Sequence, residues 1–219
     1  MHTVILNGSA RVTKYSNTAK IIASFVKGFP AGDTYEVWHL AERKSWDGAR
    51  DAFLTHTNIL IAIPLFVEGL PSHLLEFLET LPKKGGDTVI SFILQSGFQE
   101  GFQLRGGEHF LEKLPKYLGC IYGGTLCRGG NFEIRTLQGK KLAGLLIHYE
   151  RMGKLYAGQH NFHFEAAKKF AGPEKFPTWI RYFVGGILKV FGRKKYRELA
   201  MAFDFDGDIM ERPYPARKK

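Results

Sequence analysis

At 219 residues, with 44% hydrophobic and 24% charged side chains, the chain carries enough apolar material for one full core and shows no low-complexity tract. Its two cysteines are too few for a disulfide framework, an iron–sulfur centre or a zinc ligand set, and no cleavable leader opens the sequence, so a reducing cytoplasm is the expected compartment. The formal net charge is +10, and the stretch from Lys168 to Lys219 supplies much of it, with thirteen Lys or Arg against six Asp or Glu. Such a surface attracts anions and argues against an acidic electron shuttle that docks on basic partners.

Thr3-Val4-Ile5-Leu6 is an unbroken apolar or β-branched run, the pattern of a strand covered on both faces. Gly8-Ser9-Ala10-Arg11 follows at once, and Ser16-Asn17-Thr18 opens a helix over 17–28. Hydroxyls, backbone N–H groups and a helix N-terminus are thereby brought to the carboxyl end of the first strand, an arrangement that favours a phosphate. Ser16 as a simple N-cap and Gly8 as a simple turn residue are the plainer alternatives.

Strands at 33–38, 58–63, 87–95 and 119–126 alternate with helices near 47–54 and at 71–80, 104–117 and 136–152. This alternation predicts βαβ units in a doubly wound, five-stranded parallel sheet, whose ligands bind beyond the carboxyl ends of the strands. Cys120 and Cys127 lie seven apart on the last expected strand, so period-two alternation points them to opposite faces.

The third strand breaks at Pro64 into Pro64-Leu65-Phe66-Val67-Glu68-Gly69-Leu70-Pro71, with Gly69 and Pro71 fixing a turn before the next helix. An apolar loop at a ligand edge can wall a flat aromatic ring, while its backbone meets the polar edge of that ring. The fourth strand ends in Gln95-Ser96-Gly97-Phe98-Gln99-Glu100-Gly101, where glycine lets the backbone approach a ligand closely.

In order, these three loops resemble the NAD(P)H-dependent FMN reductase and quinone-reductase-like family of the flavodoxin-like superfamily, over roughly residues 1 to 150. The resemblance implies noncovalent FMN, with its phosphate at Ser9, Arg11, Ser16, Asn17 and Thr18. Ring contacts are implied at Pro64, Leu65, Phe66, Val67, Glu68 and Gly69 and at Ser96, Gly97, Phe98 and Glu100. It also implies hydride transfer from NAD(P)H and onward reduction of a quinone-like, flavin or other small electron acceptor, with no protein acid or base required. A flavodoxin-type carrier that ignores pyridine nucleotides, and a flavin-less binding protein on the same fold, are the other readings.

Other nucleotide motifs fail. Thr13-Lys14-Tyr15 lacks the glycine and hydroxyl of a P-loop, and the first turn has one glycine where a dinucleotide fingerprint needs three. His160 and His163, three apart on a helix expected over 160–171, lack further ligands and are not read as a metal site. Asp204-x-Asp206-Gly207-Asp208 has its glycine at the wrong position for a calcium loop and reads as a turn.

Residues 1–152 are expected to form the FMN-binding domain, with 153–219 a helical C-terminal extension packed on it. Within that extension Trp179, Ile180, Phe183, Val184, Ile187, Leu188 and Phe191 make a helical stripe over 176–192, followed by Arg193-Lys194-Lys195 and Arg197. Packing against the domain or across a homodimer accounts for such a stripe, and peripheral membrane contact through 176–197 is the sharper alternative. Nucleic-acid binding is not expected, because the basic residues belong to no recognition motif.

Overall fold

The structure is a computed structural model that describes residues 1–201 and Gly207. The chain divides into two compact units, Met1–Lys175 and Phe176–Lys219.

In the first unit, five parallel strands run β1 (His2–Asn7), β2 (Thr34–His39), β3 (Asn58–Pro64), β4 (Val89–Gln95) and β5 (Ile121–Arg128). Their spatial order is β2-β1-β3-β4-β5. This is a flavodoxin-like α/β sheet, with its order reversing beside β1 and β3. Side chains alternate across it. Val4, Leu6, Ile59, Ile61, Ile63, Ile90, Phe92 and Leu94 enter one apolar cluster with residues of α2 (Trp46–Thr55), α3 (Ser72–Glu79) and α4 (Arg105–Tyr117). Ile5, Leu60, Ala62 and Ile93 face the other cluster with α1 (Asn17–Phe25), α5 (Gly139–Gln159) and α6 (Glu165–Phe170). A sheet buried on both faces accounts for strands with apolar residues in succession.

Four expectations need correction. The two cysteines do not face opposite ways: Cys127 is buried in the α2–α3–α4 cluster, and Cys120 packs against the same cluster. The cause is a β-bulge. Ile90 pairs with Tyr122 and Phe92 with Thr125, so β5 spends three residues against two, and Gly124 takes φ +89° there. One extra residue flips the alternation downstream.

The helix expected to end at 152 runs on to Gln159, so it continues through the point where the extension was expected to begin. Residues up to Lys175 belong to the compact unit that holds the sheet. The Gly101 and Phe102 N–H groups donate to the Pro173 and Glu174 carbonyls at 2.9 and 3.2 Å, and Arg105 pairs with both Glu174 and Glu108.

The helix expected over 160–171 is shorter. His160 caps α5 with φ +53°, and α6 covers Glu165–Phe170 alone. His160 and His163 consequently share no helical face. His163 Nε2 lies 3.1 Å from the Tyr122 carbonyl, and His160 Nδ1 lies 3.5 Å from Asn58.

In the second unit, α7 spans Thr178–Met201, longer than the helix expected over 176–192. Trp179, Tyr182 and Phe183 on it are exposed. No helix among the described residues is long and apolar enough to cross a membrane. The segment 204–208, read as a turn, lies outside the described residues apart from Gly207.

Candidate functional site

At the carboxyl edge of the sheet the chain leaves β1 through Gly8, whose N–H donates to the Ala62 carbonyl of β3 at 2.9 Å. Two local side-chain turns then shape the loop. The Ser9 N–H donates to Asn7 Oδ1 at 3.1 Å, and the Arg11 N–H donates to Ser9 Oγ at 3.2 Å. Such bonds give the backbone an alternative to continuing the strand. A single 3₁₀ turn, Thr13–Tyr15, leads to Ser16, whose Oγ accepts the Ala19 N–H at 3.1 Å as the N-cap of α1. The first-turn N–H groups of the helix have no partner within it, so the positive end of α1 opens toward this loop. Ser9, Ser16 and Thr18 are buried, Asn17 is half-buried and Arg11 is exposed.

The loop after β3 is a strained hairpin. Phe66 and Gly69 exchange N–H···O bonds, both 2.9 Å, across Val67 and Glu68. Both intervening residues are left-handed, with φ +47° and +65°, the signature of a type I′ turn. Asn and Gly favour such a turn, whereas a β-branched residue in it is a genuine outlier. Strain of this sort gathers where a ligand is clamped. Val67 is 89% exposed and Phe66 47%, so the hairpin carries apolar side chains outward. Pro64 and Leu65 do the opposite. Both are buried, and Leu65 sits in the core beside Gly107 while its N–H donates to the Gln95 carbonyl at 2.7 Å. The side chain of Leu65 is thus a core element and not part of an exposed wall.

The loop after β4 is held by the one after β5. The Ser96 N–H donates to the Arg128 carbonyl at 3.1 Å, the Asn131 N–H to the Ser96 carbonyl at 3.0 Å and the Gly130 N–H to the Phe98 carbonyl at 2.7 Å. A Cβ on Gly129 would stand 2.2 Å from the Phe98 oxygen, so glycine is required for this approach. Ser96 is buried with its hydroxyl on the Phe98 carbonyl, Gly97 and Phe98 are exposed, and Glu100 is half-buried.

Two side-chain bonds bind these loops to α1. Gln95 Nε2 donates to Thr18 Oγ1 at 3.3 Å, and Asn17 Nδ2 donates to the Asn131 carbonyl at 3.1 Å. The end of β4 and the loop after β5 are thereby tied to the first turn of α1, while Gly8 and Leu65 bond to the ends of the neighbouring strands β3 and β4.

Sequence reasoning missed the loop after β5. Asn131 is buried and central: it donates from Nδ2 to the Arg128 carbonyl and accepts the Tyr149 hydroxyl at 3.0 Å. Phe132 beside it is 53% exposed. The adjacent glycines Gly129-Gly130 were the available signal. His73, in the first turn of α3, was also missed. Burial is the main cause holding its pKa below the usual imidazole range, opposed by a hydrogen bond to the Ser9 backbone. Its Nε2 is buried with no hydrogen-bond partner among the described residues.

No family model and no curated protein matches this chain by sequence. Solved structures match its fold. General stress protein 14 of Treponema denticola, in complex with FMN, superposes with TM-score 0.53 at 12% identity, covering 73% of this chain and 99% of that one. An NAD(P)H:quinone oxidoreductase from Methanothermobacter marburgensis gives 0.51 at 16% identity, covering 70% and 96%. An FMN-dependent NADH-azoreductase from Bacillus anthracis, also in complex with FMN, gives 0.50 at 15% identity, covering 72% and 100%. At such identities these likenesses establish the flavodoxin-like fold.

Proposed function

We propose that this edge holds FMN noncovalently and that the protein is an NAD(P)H-dependent FMN oxidoreductase acting on a quinone-like, flavin or other small electron acceptor. The observation that carries the reading is the tying of Gln95 at the end of β4 and Asn131 after β5 to the first turn of α1, beside the buried hydroxyls of Ser9, Ser16 and Thr18. The fold neighbours include proteins described as FMN-bound and NAD(P)H-dependent, which supports the same reading.

The residues present fit the cofactor. The first-turn N–H groups of α1, the hydroxyls of Ser9, Ser16 and Thr18, the Asn17 amide and the exposed Arg11 suit a phosphate dianion. The Phe66–Gly69 hairpin, Phe98 and Phe132 offer exposed apolar surface for a flat ring, and the backbone N–H groups of 65–69 and 96–100 are suited to its polar edge. When bound, FMN supplies the hydride chemistry, and the chain contributes position and electrostatics. No acidic or basic side chain is assigned a proton-transfer role.

The same reading extends to partners. Phe66, Phe98 and Phe132 stand exposed on the site, and a second copy of the chain would wall the open ring face as a homodimer. The exposed Trp179, Tyr182 and Phe183 of α7 support peripheral contact with an anionic membrane. A cytoplasmic location accords with two free thiols.

The test is a flavin titration of the purified chain followed by anaerobic NADH and NADPH. A yellow one-to-one complex bleached by either nicotinamide is the expected result. Binding without bleaching would instead indicate an electron carrier, and no binding would sink the assignment. Ser16→Asp is the sharpest variant, because aspartate keeps the N-cap while placing a negative charge beside the phosphate. It should fold normally and lose FMN affinity by at least tenfold.

A further inference from the structure

At the opposite end of the sheet from the candidate flavin edge, three metal-binding side chains converge that are far apart in sequence. His2 opens β1, Glu36 lies on β2 and His56 caps the C-terminus of α2. Thr34 pairs with His2 and Glu36 with Val4, so His2 and Glu36 are diagonal neighbours on one face of the sheet. That face carries α2, and His56 follows it directly as its C-cap. Nε2 of His2 lies 3.5 Å from Glu36 Oε1, and Nε2 of His56 lies 3.8 Å from the same oxygen. One ligand atom from each of the three residues falls within 4.8 Å of the others, and the two imidazole centroids are 4.4 Å apart.

We propose that His2, Glu36 and His56 form a binding site for a divalent transition-metal ion of the zinc type. The spacing is the first reason. Donors 3.5 and 3.8 Å apart are too distant for good hydrogen bonds, yet close to the separation of about 3.3 Å that tetrahedral bonds of about 2.0–2.1 Å impose. A second, independent observation is the state of His2. Its Nδ1 lies 2.8 Å from Thr34 Oγ1, which fixes the ring, while Nε2 is buried with no hydrogen-bond partner among the described residues. A metal ligand has this arrangement: one nitrogen oriented by an outer partner, the other lone pair directed at the ion.

The donor set decides the class of ion. Two imidazoles and one carboxylate suit zinc and its neighbours in the first transition row, whereas magnesium and calcium prefer oxygen alone. All three side chains are about a third exposed, at 30%, 32% and 37%, so an ion can enter from solvent and keep a water as fourth ligand. The ligands come from the first strand, the edge strand and the α2–β3 junction. A bound ion would therefore fasten three segments that separate on unfolding, and would stabilise the folded chain by mass action.

The test uses the tag-free full chain, stripped with chelator and dialysed, with zinc chloride titrated calorimetrically and followed by thermal unfolding. One site per chain with micromolar or tighter affinity is expected, together with a zinc-dependent rise in Tm. Glu36→Gln and His56→Ala should each weaken binding at least tenfold and abolish the rise, while leaving the metal-free Tm near that of the wild type. Affinity weaker than millimolar would overturn the site. So would zinc binding undiminished in both variants, which would place the ion on the terminal amine and His2 or on other histidines. Magnesium competing equally with zinc would overturn the assigned class. Because the proposed flavin edge lies at the other end of the strands, neither result depends on it.

Discussion

Gly153 stands against the backbone of Phe25: a Cβ built on this glycine would lie 1.9 Å from the Phe25 carbonyl oxygen. Gly28 mirrors it, its imagined Cβ 2.1 Å from the Glu150 oxygen. The end of α1 and the middle of α5 thus pack backbone to backbone, and that contact fixes the helix whose far end reaches Tyr156 and the sheet. Gly153→Ala is expected to destabilise the fold by about 2–3 kcal/mol, because overpacking here outweighs the ~1 kcal/mol that alanine gains in helix propensity. Gly144→Ala in the same helix, where nothing lies within 4 Å, should instead stabilise by up to about 1 kcal/mol. Urea titrations of both variants check the pair. Equal shifts of the same sign would show that propensity, not contact, governs this helix.

The same glycine shows why the sequence misplaces the end of α5. Periodicity weakens at Gly153, and glycine inside a helical pattern reads as a terminator when the neighbouring helix cannot be seen. The extra residue in β5 is hidden for a similar reason, since Gly123-Gly124 looks like strand weakness and the flipped faces of Cys120 and Cys127 follow only from the pairing with β4. By contrast, the strand cores and the three loops on the first, third and fourth strand ends were legible, because unbroken apolar runs followed by glycine or proline mark buried parallel strands locally. Asn131 and His73 were not legible. Their positions beside Ser96 and Ser9 are set by sheet order and not by any local pattern.

A buried polar chain fastens α5 to the sheet. The Tyr156 hydroxyl donates to Asn58 Oδ1 at 2.9 Å, and Asn58 Nδ2 donates to Thr3 Oγ1 at 2.8 Å. Burial pushes the Tyr156 phenol above its ordinary pKa, so it is protonated and a donor at neutral pH. Tyr156→Phe deletes that donor and leaves a carbonyl oxygen buried beside it. We expect a loss of about 1–3 kcal/mol, seen as a lower urea midpoint with unchanged slope. A variant as stable as the wild type would mean that solvent reaches Asn58.

His73 links stability to pH. Burial is the chief cause lowering its pKa below 6.5 in the folded chain, despite the opposing hydrogen bond to Ser9 and the charge of Glu76. As pH falls through 6.5, the unfolded chain takes up a proton that the folded chain still refuses, and stability must decline. The decline levels off below the folded pKa, where both states are protonated. Urea midpoints measured from pH 8 to pH 5 should fall more steeply for the wild type than for His73→Gln. Parallel curves would remove His73 as the cause.

Val67 couples the strain of the hairpin after β3 to its proposed work. An L-residue in the left-handed region costs about 1–2 kcal/mol, and a branched Cβ makes this position worse. Asparagine tolerates the same φ, and Val67 at 89% exposure gives up little burial when replaced. Val67→Asn is therefore expected to stabilise the flavin-free chain by about 1 kcal/mol, raising Tm by about 2–4 °C. If the apolar tip lies against the flavin ring, the same substitution should speed FMN release several-fold, so that stability and affinity move in opposite directions. Thermal unfolding without flavin and a fluorescence off-rate with it separate the two effects. A lower Tm in the flavin-free variant would show that the turn is not strained, and an unchanged off-rate would place the ring elsewhere.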